Sequence, residues 1–123
     1  MKRCILVVDD SLAIRKAIRR ILEPLGYAVV VAADGAQALA WVRGHAVDAI
    51  LCDIDMPEMD GLAFLRAYRA ERGAAGVPVI MCTTHASFEK ITEAIGAGAN
   101  EYVMKPFDAD IVGGKLKAVG IAA

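Results

Sequence analysis

Five short apolar runs rich in β-branched residues, separated by segments whose apolar residues recur at helical spacing, constrain this 123-residue chain more than any other feature. The first run, CILVV at 4–8, is apolar at every position, as a strand reads when both faces of its sheet are covered. Residues 27–32, 47–52, 79–83 and 101–104 read as the other four strands. Ser11 is placed to cap a first helix whose Leu12, Ile14, Ile18, Ile21, Leu22 and Leu25 keep helical spacing, with Pro24 and Gly26 marking its stop. Asp34-Gly35 opens a second helix running to about Arg43, with Ala38, Leu39 and Val42 inward and Gly44 ending it. Further helices are predicted over 61–72, 87–97 and 108–119. Strands that alternate strictly with helices call for a parallel sheet covered on both faces, because each crossover has to pass over a face. The expectation is one α/β domain spanning 1–123, a doubly wound (βα)5 fold.

Composition narrows the classes of function. The chain is 57% hydrophobic, yet no apolar run approaches the roughly 18 residues of a membrane span, so the excess belongs to a buried sheet. The apolar run after Met1-Lys2-Arg3 ends at two aspartates without a cleavage pattern, and a cytoplasmic location with no membrane contact is expected. Fourteen basic residues against fifteen acidic ones argue against direct nucleic-acid binding. The cluster of Arg15, Lys16, Arg19 and Arg20 reads as a solvated helix face, with a minor docking surface as the alternative. Cys4, Cys52 and Cys82 lack the close spacing of zinc or redox pairs and read as reduced, buried thiols. Cys52 and Cys82 each precede a candidate site residue on strands expected to be neighbours, which suggests that they lie side by side.

The polar residues at the strand ends carry the chemistry. Asp9 and Asp10 follow the first strand, Asp53 the third and Lys105 the fifth, while Thr83 ends the fourth. In an open parallel sheet these carboxyl ends surround the ligand crevice. Crowded carboxylates repel one another, and a hard divalent cation such as Mg²⁺ resolves the conflict. Lys105 then offers a point charge and Thr83 a hydroxyl to phosphate oxygens, leaving Asp53 as a nucleophile towards phosphorus. Taken singly, Asp9-Asp10 is equally a helix-capping turn, Asp53 turn chemistry and Lys105-Pro106 a loop with a solvated lysine.

Four segments extend the pattern: VVDDS at 7–11, DIDMPEMDG at 53–61, PVIMCTT at 78–84 and EYVMKPF at 101–107. With these the chain resembles, over essentially its whole length, the receiver domains of two-component response regulators, closest to the single-domain chemotaxis type. The resemblance implies a flavodoxin-like fold with strand order 2-1-3-4-5. It implies Asp53 as phosphoacceptor, and Asp9, Asp10, Asp53 and the Asp55 backbone carbonyl as ligands of Mg²⁺, with Mn²⁺ as a substitute. It implies Thr83 and Lys105 as the phosphate-sensing pair, Tyr102 as a switch aromatic and a cis Lys105–Pro106 peptide. Asp55 and His85 fall at positions that tune the lifetime of the phosphorylated state. The implied donor is a histidine kinase, and the implied target a flagellar motor switch or, for a phosphorelay carrier, a histidine phosphotransfer protein. Catalysis is expected only of the chain's own phosphorylation and dephosphorylation, in a monomer, with dimerisation on activation as an alternative. A small-molecule phosphatase built on Asp53-Ile54-Asp55 is a competing class, which leaves Asp9-Asp10 unexplained. Gly113 and Gly114 weaken the last helix by up to about 1 kcal/mol each relative to alanine, so a partner or second copy could order it further.

Overall fold

Each apolar run becomes a strand and each amphipathic segment a helix. The computed structural model describes residues 2–56, 59–73, 76–84 and 88–123. Along the chain the elements are β1 (Cys4–Val8), α1 (Leu12–Leu22), β2 (Ala28–Ala32), α2 (Gly35–Gly44) and β3 (Ala49–Asp53). They continue as α3 (Gly61–Arg72), β4 (Val79–Thr83), α4 (Phe88–Gly96), β5 (Glu101–Met104) and α5 (Ala109–Ala118). The five strands are all parallel and ordered β2-β1-β3-β4-β5, the expected topology, with the order reversing between β1 and β3.

Alternation along the strands sends side chains into two separate cores. Leu6, Val8, Ile50, Cys52, Val79 and Met81 pack under α2, α3 and α4. Ile5, Val7, Ala49, Leu51, Ile80, Cys82 and Val103 pack under α1 and α5. Cys52 and Cys82 therefore lie on opposite faces of the sheet, which corrects the expectation that they sit side by side. Cys52 pairs in register with Met81, and Cys82 with Asp53, so the thiols differ by one step of a period-two pattern. Burial holds both thiols protonated, their pKa values pushed well up.

Several boundaries differ from the sequence reading for physical reasons. Helix α1 stops at Leu22 rather than reaching Leu25, because Pro24 has no N–H to continue the ladder. The chain turns there through bonds from Leu25 N to Leu22 O and from Gly26 N to Glu23 O, and Gly26 adopts φ +102°. Leu25 is left exposed, as is Leu12 at 57% of its surface. Tyr27 lies outside β2, its ring buried and its hydroxyl donating to the Ile121 carbonyl at 2.7 Å. Strand β3 begins two residues later than expected and includes Asp53 as its last residue. The α5 helix forms despite its two glycines, since Asp108 caps it and Val112 and Leu116 are buried. The expected start of the fourth helix, at Ser87, lies outside the described residues.

Candidate functional site

The acidic turn after β1 is fixed from both sides of its backbone. Asp9, only 2% exposed, accepts the Ser11 N–H on Oδ1 at 2.9 Å, and Ser11 Oγ in turn accepts from Ile14 N as the N-cap of α1. From the second turn of α1, Arg15 donates to the Asp9 carbonyl at 2.7 Å. Arg19 likewise donates to the Val29 carbonyl. This basic cluster therefore includes two arginines spent on backbone oxygens, beyond the solvated face expected from sequence.

Asp53, at the carboxyl end of β3, is 8% exposed and faces that turn. The loop behind it is held by Ile54 N donating to Cys82 O and by Gly61 N donating to Ile54 O. Gly61 is needed there: a Cβ would lie 2.1 Å from the Asp53 carbonyl oxygen. The Asp55 N–H donates to Asp53 Oδ1 at 3.3 Å. Lys105, directly after β5, donates to Asp9 Oδ2 at 2.5 Å and stands 3.4 Å from Asp53 Oδ2. Its backbone N–H bonds the Thr83 carbonyl at 2.8 Å, which ties the lysine to the buried end of β4. The Lys105–Pro106 peptide is cis.

Burial pushes the Asp53 carboxyl above its ordinary range; Lys105 pulls it back and Asp9 adds to the rise. Burial works against the Lys105 charge, yet the bond to Asp9 and the charges of Asp53 and Asp9 outweigh it and raise its pKa. Lys105 therefore stays an ammonium between two carboxylates.

Carboxylate oxygens of Asp9, Asp10 and Asp53 lie within 4.8 Å of one another, an all-oxygen set that suits a small hard cation. Three carboxylates against one ammonium leave two negative charges, which one divalent ion balances. The residues present fit Mg²⁺ or Mn²⁺.

The remaining candidates are placed at the margins. Tyr102 on β5 is half-buried, with Lys115 Nζ 5.0 Å from the centre of its ring. Asp55 turns its carboxylate outward to Lys90 of α4. His85 lies outside the described residues. Arg15, Gly61, Lys90 and Lys115 had no assigned role at the site from sequence. Gly61 stood within a recognised motif, but the contacts of the other three join separate elements and leave no local signal.

Comparison with known proteins identifies the family of the chain. The response regulator receiver domain family matches residues 5–116. The chemotaxis protein CheY of Pseudomonas aeruginosa is 38% identical over 116 residues, 94% of each chain. The transcriptional regulatory protein ZraR of Escherichia coli is 42% identical over 106 residues, 86% of this chain. The chain spans about a quarter (24%) of the length of that relative. Among solved structures, the chemotaxis protein CheY4 of Vibrio cholerae superposes with a TM-score of 0.90 at 36% identity, covering 97% of this chain and 99% of that one. The chain belongs to the response regulator receiver domain family.

Proposed function

We propose that this receiver accepts a phosphoryl group on Asp53 from the phosphohistidine of a sensor kinase, in a Mg²⁺-dependent reaction, and changes partners as a result. The observation that carries the reading is the Asp53 carboxylate held at the sheet's carboxyl edge, facing Asp9 and Asp10 and backed by Lys105. Asp9, Asp10, Asp53 and the Asp55 backbone carbonyl would hold the ion. When bound, it supplies positive charge to the acceptor and the phosphoryl oxygens.

Asp53 is the nucleophile, and as a carboxylate it needs no general base. Lys105, already charged and oriented, takes a phosphoryl oxygen as its bond to Asp9 lengthens. Thr83, sharing a backbone bond with Lys105, moves with it, so the two strand ends form the switch. Tyr102 follows on β5, one residue before Val103 in the core under α1 and α5.

Beside the site an apolar groove of about 270 Å³ runs between α1 and the loop after β5, lined by Ile14, Ala17, Ile18, Ile21, Pro106 and Phe107. It suits the apolar flank of a histidine-bearing helix. That supports a histidine kinase donor and, as a second reading, a phosphorelay carrier that returns the group to a histidine phosphotransfer protein. Chemotaxis is the favoured setting, with a flagellar motor switch as target, because similarity to CheY covers nearly all of both chains. Among the described residues no helix is long and apolar enough to cross a membrane, and action in the cytoplasm is part of the proposal. Turnover is confined to the protein's own phosphorylation and dephosphorylation.

Incubation with acetyl phosphate tests the reading. Intact mass should show one phosphoryl adduct with Mg²⁺, none with a chelator and none in Asp53→Asn. An adduct that persists in Asp53→Asn would overturn the assignment.

A further inference from the structure

Asp55 places a carboxylate beside the acceptor beyond those of the acidic cluster. Its backbone N–H reaches Asp53 Oδ1, so the two residues are mechanically joined. Its side chain turns away and accepts from Lys90 Nζ at 2.5 Å, with both side chains 44% exposed. Lys90 lies in the first turn of α4, on a different element and 35 residues away in sequence. The nearby Glu93 of the same helix is engaged by Arg66 of α3 at 2.7 Å. Lys90 is thus a cation that the structure sets against Asp55.

An incoming phosphoryl donor is itself an anion. An unneutralised carboxylate at the mouth of the site repels it in proportion to its charge, and salt screens the repulsion.

We propose that Lys90 is a specificity-determining positioning residue: by holding the Asp55 carboxylate, it keeps the acceptor open to dianionic phosphoryl donors. The inference rests on the reading of Asp53 as phosphoacceptor. With acetyl phosphate, Asp53 forms the new O–P bond as the bond from phosphorus to the acetyl oxygen breaks, releasing acetate. With zwitterionic phosphoramidate, the P–N bond breaks and ammonia leaves. The first donor carries two net negative charges and the second one, so removing Lys90 penalises the first more.

The test compares phosphorylation rates with the two donors in wild type, Lys90→Gln, Lys90→Arg, Asp55→Asn and the Asp55→Asn/Lys90→Gln double variant. Lys90→Gln should slow acetyl phosphate about fivefold at low salt and phosphoramidate about twofold, with both losses shrinking as salt rises. Lys90→Arg should restore the wild-type ratio. In the Asp55→Asn background, Lys90→Gln should change nothing. Equal slowing with both donors, or slowing that persists without the Asp55 charge, would overturn the proposal and leave Lys90 a structural residue. Wild type that takes a phosphoryl group from either donor while Lys90→Gln matches it throughout would sink this inference alone. Wild type that takes none from either donor would sink the Asp53 reading beneath it.

Discussion

Helices α3 and α4 flank the same core, and they are held by different means. Helix α3 begins against the acceptor itself, with Gly61 packed on the Asp53 carbonyl and Asp60 capping Ala63 N at 2.8 Å. It then buries Leu62, Phe64, Leu65 and Tyr68. Among the described residues of α4 only Ala94 is buried, and Ile95 is 47% exposed. What else holds α4 includes two partly exposed ion pairs, Lys90–Asp55 and Arg66–Glu93. Pairs of that kind are worth about 0–1 kcal/mol each, against about 1.5–3 kcal/mol for one fully buried large apolar side chain. Helix α3 is thus the fixed reference for the acceptor, and α4 the element that can shift at small cost.

Three measurements would break or sharpen this contrast. The largest effect is expected from Phe64→Ala, which empties a fully buried site stacked on Tyr68 and should cost about 3–5 kcal/mol by urea unfolding. A loss below about 1 kcal/mol would mean that α3 is not the anchor. Next, Gly61→Ala forces the Asp53 carbonyl to move, and should cost about 1–3 kcal/mol while sharply reducing the phosphoryl adduct. Unchanged phosphorylation would show that acceptor geometry does not depend on the start of α3. The smallest effect is expected from Arg66→Ala, under about 1 kcal/mol globally, read as faster amide hydrogen exchange confined to α4. Acceleration spread equally over α3 would erase the distinction.

Much of this organisation can be read without coordinates. The strict alternation of strand-like runs with helical segments specifies a parallel sheet, because each crossover has to pass over a face. Asp9, Asp53 and Lys105 can be grouped in advance because each sits at the carboxyl end of a strand, and a parallel sheet gathers those ends on one edge. What escaped depends on parity or on long-range side-chain reach. One residue of register separates Cys52 from the face of Cys82. Lys90 and Asp55 meet across 35 residues that include all of α3 and β4, and Arg15 and Arg19 resemble any exposed basic stripe until their backbone partners are seen. The end of α1 was misplaced because Leu25 continues the apolar spacing through a proline that ends the hydrogen bonding.

The two edges of the sheet have a consequence for association. On β2, the outward Val29 carbonyl is taken by the Arg19 guanidinium. On β5, the Tyr102 N–H is taken by the Glu101 carboxylate, which Lys115 holds in place. One outward backbone group on each edge is thus answered by a charged side chain. At these two positions a strand adding to the sheet would have to displace a bound side chain before it could pair.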